Sequence, residues 1–349
     1  EQILQSQESL DHAFIGSIVR RPLQGREIGR TLIDPRYILK INEPDNFKSN
    51  IWRNNYKMTM FGIPLNIWAF PYTMQDGEVA TCAETTILNM TDYYSYRYPE
   101  YRVVLPSEIS RTVRKNSNAR TIPSRGLSYE MVSKIFMELG FSPILYSAEN
   151  IKSQFADILH SYVASGIPVA LGINDGLNDE IGHSVIVIGT EHRLIDADSQ
   201  NRKKSFDTSP ILRIPDRERD ITYYQAVKGA LDNSYIIMDD GRVPYAKAKI
   251  YERNGSVYLR YLDEKDKEWQ VSIFVAPTSS EMSMDAYTAI NCFRSLLVSD
   301  VFGYSDYVYG LDGLNETQKE NLYAGLEKNR PLLTRIFLCQ SKRLKEQRI

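Results

Sequence analysis

The chain has 349 residues, 42% of them hydrophobic and 25% charged, with a formal net charge of -2. This length suits two average domains or one elaborated one, and the near-neutral balance excludes a global field for nucleic acid or an anionic membrane. No apolar run approaches the ~20 residues of a bilayer-spanning helix, which excludes a helical membrane protein.

Three scattered cysteines, Cys82, Cys292 and Cys339, make neither a disulfide framework nor a metal-ligand spacing. The expectation is a protein of a reducing, cytoplasmic setting with no metal and no cofactor. In chain order, residues 1–70 read as a β-rich N-terminal extension, a scaffold or recognition element. Strands are expected at 15–19, 37–41 and 63–68, between Pro, Gly and Asn turn signals.

From residue 80 to 166 the pattern is helical. Thr81 and Glu84 form a capping box that puts Cys82 in a first helical turn. Pro106-Ser107-Glu108 opens a second helix. Ser128 caps a third, with Val132, Ile135, Phe136 and Leu139 on one apolar face and Gly140 as its stop. Asn150 is expected to cap a fourth, with Phe155, Ile158, Leu159 and Tyr162 inward, His160 on the wet side and Gly166 at its end.

The period then changes. Residues 167–173 and 183–189 are almost continuously apolar, as in central strands, with a polar hairpin loop at 174–181. Residues 199–230 are charged and read as a loop-like insertion. Strands are expected again at 235–238, 246–251, 256–261 and 269–275, and the alternation in Val257-Tyr258-Leu259-Arg260-Tyr261 suits an antiparallel sheet with one wet face. Residues 285–298 and 316–338 read as helices of a C-terminal extension, 281–349, with Cys292 and Cys339 as core residues. Helices followed by strands predict an α+β protein with segregated layers.

The chemistry centres on Cys82. A cysteine is a nucleophile as thiolate, which a helix N-terminus and a neighbouring imidazolium both favour. His183, at the start of a strand, is the candidate base and ion-pair partner, and later the acid toward a leaving amine. A carboxylate must orient the imidazole: Asp239, first past the apolar run 235–238, is favoured, with Asp240 and Asp196 as alternatives. Gln75, seven residues before Cys82, and the Cys82 backbone N–H are candidate oxyanion donors.

Taken in order, these residues resemble a papain-like cysteine peptidase, close in style to the bacterial bacteriocin-leader-processing group. The resemblance runs through Gln75 and Cys82, then Ser165-Gly166-Ile167-Pro168-Val169, then Gly182-His183-Ser184-Val185-Ile186-Val187-Ile188-Gly189, then a strand ending in Asp239. It covers about residues 70–245, with Ala83 where the family commonly has glycine and a Gln-to-Cys spacing one residue longer than usual.

The resemblance implies a papain-like catalytic domain over 71–280, with a helical layer facing an antiparallel sheet and the active site in the cleft between them. It assigns nucleophile, base, orienting acid and oxyanion donor to Cys82, His183, Asp239 and Gln75. The implied function is hydrolysis of a peptide or isopeptide bond in a protein substrate through a thioester, with a regulatory protein as a second candidate partner. The same residues serve transglutaminase- or deamidase-type acyl transfer, and a catalytically silent peptide-binding module is the reading from another class.

Overall fold

The computed structural model describes residues 7–39, 47–75, 82–116, 127–151, 154–175, 182–193, 212–215, 220–225, 234–264, 266–282, 284–298, 332–334 and 338. They fall into two compact units, one of residues 1–194 and 233–281, the other of residues 195–232 and 282–349.

The first unit opens with α1 (Gln7–Ala13), β1 (Gly16–Arg20) and β2 (Ile28–Ile33), the two strands pairing antiparallel. Of residues 37–41, expected as a strand, 37–39 fall instead on α2 (Pro35–Leu39), and 40–41 lie outside the described residues. The reason is local: Asp34 Oδ1 accepts the Arg36 N–H at 2.9 Å, and proline is preorganised for the first helical position. β3 (Phe47–Ile51) follows, then the hairpin of β4 (Asn54–Met60) and β5 (Ile63–Ala69). Leu32, Tyr56, Ile67 and Ala69 form a small core of their own.

Three helices come next: α3 (Cys82–Arg97), α4 (Pro106–Asn116) and α5 (Tyr129–Glu138). Ser128 caps α5 as expected, its hydroxyl accepting the Met131 N–H at 3.3 Å. Gly140 follows at φ +91°, the left-handed conformation that ends helices cheaply only at glycine. The helical reading of 80–166 misses β6 (Ser142–Ser147), whose pairing with a distant strand outweighs its weak local signal. Asn150 is no cap either: it lies within α6 (Ala148–Ile151), and α7 (Phe155–Ala164) starts after Gln154. His160 is buried on α7, not on a wet side.

Then come β7 (Val169–Asn174), β8 (Gly182–Arg193), β11 (Ser234–Met238), β12 (Ala246–Arg253), β13 (Ser256–Tyr261) and β14 (Trp269–Thr278), with β9 (Leu212–Pro215) and β10 (Asp220–Gln225) between β8 and β11 in the chain. Among the described residues, six of these strands close a ring in the order β7-β8-β11-β12-β13-β14 and back to β7, antiparallel throughout. β3 extends the β8 edge past the end of β7, since Val187 pairs with Val169 and Gly189 with Ile51. β6 extends the β14 edge past β13 in the same way. The expected central strands are buried: β7 in all but its last residue, and β8 from Ser184 to Glu191; β11 is buried throughout as well.

The main core lies where α3, α4 and α5 pack on this sheet. Ile87, Met90, Tyr93, Val113, Ile135 and Phe136 meet Ala170, Ile186, Ile188, Ile236 and Val275, each large side chain stabilising the fold by roughly 2 kcal/mol on burial. The architecture is therefore α+β, a helical layer on an antiparallel sheet. No helix among the described residues is long and apolar enough to cross a membrane.

The second unit holds β9 and β10, which pair antiparallel, α8 (Ala286–Val298), and β15 (Leu332–Thr334), which pairs parallel with β10. Strands thus occur in the stretch 199–230, read from sequence as loop, and at 332–334, read as helix. The first reading missed the local pair of β9 and β10, and both missed the distant pairing of β10 with β15. Cys292 is exposed on α8, against the core expectation, and Cys339 lies outside the described residues.

Candidate active site

Cys82 opens α3, so its sulfur stands at the positive end of a 16-residue helix, where unpaired backbone N–H groups favour an anion. Thr81, half of the expected capping box, lies outside the described residues.

His183 is the second residue of β8. β8 and β11 pair antiparallel, with Met238 at the end of β11 opposite Ile186. The chain leaving β11 therefore runs toward His183, and its first residue is Asp239. Asp239 Oδ1 accepts from His183 Nε2 at 2.8 Å and from the Gly241 N–H at 2.9 Å. Its Oδ2 accepts from the Tyr261 hydroxyl at 2.6 Å. The Arg242 guanidinium lies 3.8 Å over the Tyr261 ring, with its Nε 3.6 Å from the same Oδ2. The carboxylate is buried yet engaged at both oxygens, as a buried charge requires.

The electrostatics follow from this geometry. Burial of the imidazole opposes its charge, but the bonds to Asp239 and to the Cys82 thiol outweigh burial and push His183 up to about 10. Burial by itself would raise Asp239, whereas its partners, His183 first, hold it below the ordinary 3.8. With Nε2 committed to Asp239, Nδ1 is the ring nitrogen that remains for the Cys82 thiol. Trp269, at the start of β14, stands 6.4 Å from the imidazole between ring centroids, and Lys267 Nζ lies 4.0 Å over the indole.

Asp240 is the second carboxylate at the imidazole, its Oδ1 3.6 Å from His183 Nε2. Both of its oxygens are buried without a hydrogen-bond partner among the described residues. Burial first, and the charge of Asp239, push its carboxyl up to about 6 against the pull of His183. Asp196 lies outside the described residues. Gln75 ends a segment anchored to the N-terminal strands, since Arg21 donates to the Met74 carbonyl at 2.7 Å and Met74 N–H to Ile28 at 3.1 Å. The loop from Gln75 to Cys82 lies outside the described residues, so the two are not joined by any described contact.

His183, Asp239 and Asp240 each offer a ligand atom within 4.8 Å of the others, a donor set that could hold a divalent cation. The 2.8 Å from Nε2 to Asp239 Oδ1 is nevertheless a hydrogen bond, closer than the ~3.3 Å between two ligands of one tetrahedral zinc.

Sequence reading missed Tyr261, Arg242, Trp269, Tyr129 and Ser184 around this site. Tyr261 carried a readable signal. It ends an alternating strand on the buried side, and a buried tyrosine hydroxyl needs a partner. The others join the site only through tertiary packing. No protein-family model matches the chain, and no curated protein matches it.

Proposed function

We propose that the chain is a cysteine peptidase with a papain-like fold, cutting a peptide or isopeptide bond in a protein substrate. The observation that carries this reading is the imidazole of His183, bonded to a fully engaged Asp239 on one side and facing the Cys82 thiol at a helix start on the other. The helical layer packed on an antiparallel sheet supports the fold half of the reading.

In this mechanism the Cys82 thiolate attacks the scissile carbonyl, and the C=O electrons move onto oxygen. The Cys82 N–H and Gln75 are the proposed donors to that oxyanion, each such donor contributing ~3 kcal/mol to the transition state. The oxyanion collapses as imidazolium His183 gives its proton to the departing amine, leaving a thioester. His183 then takes a proton from water, whose oxygen attacks the thioester, and Cys82 leaves as thiolate. Asp239 stays ionised throughout and fixes the ring. Tyr261 and Arg242 act through Asp239 and are positioning residues.

The test is labelling with a thiol-reactive probe near neutral pH, followed by mass spectrometry of candidate partners. Cys82 should label at least ~10-fold faster than Cys292, and His183→Ala should abolish the difference. New termini in a partner protein would support peptidase action. Mass shifts on glutamine without new termini would replace it with acyl transfer, and a Cys82 that labels no faster than Cys292 would leave a silent binding module.

A further inference from the structure

The sulfur of Cys82 has polar neighbours besides His183. Tyr129 is the first residue of α5, and its ring runs onto Gly172 of β7, where a Cβ would lie 2.7 Å from the phenolic oxygen. Only glycine leaves room for the phenol there. Gly172 pairs with Ser184, the residue after His183. Cys82 and Thr86 share one face of α3, a turn apart, and Thr86 Oγ1 donates to the Ser184 carbonyl at 3.4 Å.

Three elements thus bring the thiol and two hydroxyls to one small region, with the Tyr129 oxygen beside Ser184 and within electrostatic reach of Cys82. Both hydroxyl oxygens are buried; they lie within hydrogen-bonding reach of each other, and neither has a further partner among the described residues. Burial holds the phenol protonated, far above its ordinary value of 10.

Two hydroxyls bonded only to each other leave one O–H without an acceptor, which is costly when buried and calls for an explanation in the working of the site. The neighbour that changes state is the thiol, a weak acceptor when protonated and an anion when ionised.

We propose that the Tyr129 hydroxyl donates a hydrogen bond to the Cys82 thiolate, with Ser184 steadying the phenol, which makes Tyr129 a further catalytic residue. The proton stays on the phenol throughout, and the hydrogen bond is released as the sulfur–carbon bond forms. This inference rests on Cys82 being the nucleophile.

The experiment is alkylation of the full chain by iodoacetamide from pH 5 to 10, read at the Cys82 peptide by mass spectrometry with Cys292 as the internal comparison. Tyr129→Phe keeps the ring and removes the donor. The variant's Cys82 rate should fall about tenfold at pH 6, its profile moving up by about one pH unit, while Cys292 is unchanged. Gly172→Ala keeps the phenol but displaces it and should shift the profile the same way. If the phenylalanine variant does not fold, Ser184→Ala decides, with a smaller shift of the same sign expected. A reactive wild-type Cys82 with variant profiles that overlay it overturns this inference and leaves the peptidase reading standing. A wild-type Cys82 no faster than Cys292 overturns both.

Discussion

Asp239 holds the imidazole, and its contacts to His183 and Tyr261 have separable consequences. Asp239→Asn removes the charge that holds His183 up at about 10, so the ring should titrate at least a unit lower by NMR, toward the ordinary 6.5. The alkaline limb of Cys82 labelling should move down with it. Tyr261→Phe removes one charge-assisted bond, 2.6 Å long, and should lower the His183 titration by less than Asp239→Asn does. Its stability cost should be about 2 kcal/mol in a urea melt. A Tyr261→Phe variant with the wild-type His183 titration would show that Tyr261 only packs. Of these residues, Cys82, His183 and Asp239 were legible in the sequence because each sits at an element end marked by caps, apolar runs or turn residues. Arg242 was not legible, because its cation–π seat on Tyr261 exists only once β13 lies beside the end of β11.

Helix α5 carries the Ser128 cap and, directly after it, Tyr129. Removing the cap by Ser128→Ala should cost about 1 kcal/mol, seen as a lower urea midpoint with an unchanged slope. The cap is exposed and local, so it could be read from sequence, as could the glycine that ends the helix. β6, β10 and β15 could not, since short strands with no strong periodicity are stabilised by partners far away in the chain, and β9 has its partner in β10. α2 shows the opposite case: an apolar triplet that resembles a strand is turned into helix by the Asp34-Pro35 start ahead of it.

For the whole molecule, the N-terminal stretch is part of the sheet and the core. β3 pairs along β8, Leu39 and Ile33 pack into the main core, and the Tyr245 hydroxyl donates to the Ile33 carbonyl at 2.7 Å. Deleting residues 1–53 should therefore abolish cooperative unfolding by circular dichroism; a well-folded deletion protein would refute this. The pH dependence of stability carries a second whole-molecule prediction. Asp240 titrates at about 6 in the fold against an ordinary 3.8, so the cost of its buried charge is absent below pH 3.8, grows as pH rises through 6, and stays above it. Asp240→Asn should match wild type near pH 4 and exceed it above pH 6 by on the order of 2 kcal/mol. His183 has the opposite sense. Raised from 6.5 to about 10, it lends stability that is complete below pH 6.5 and lost as pH rises through 10.

Local chemistry determined the elements that carry the candidate site: a helix opening at Cys82, an apolar strand entered through His183, a strand running out at Asp239, and the α+β class that follows. Each is written in neighbouring residues, where caps, turn chemistry and hydrophobic period act. Tertiary structure alone decided that Asp239, rather than Asp240, bonds the imidazole. Both carboxylates flank one ring nitrogen, and what separates them is that Tyr261 and Gly241 fill the remaining lone pairs of Asp239, while Asp240 is buried with none of its own filled. The same holds for the glycine that admits Tyr129 beside Cys82. A buried polar group is tolerated according to what other segments bring to it, and those segments meet only in the folded chain.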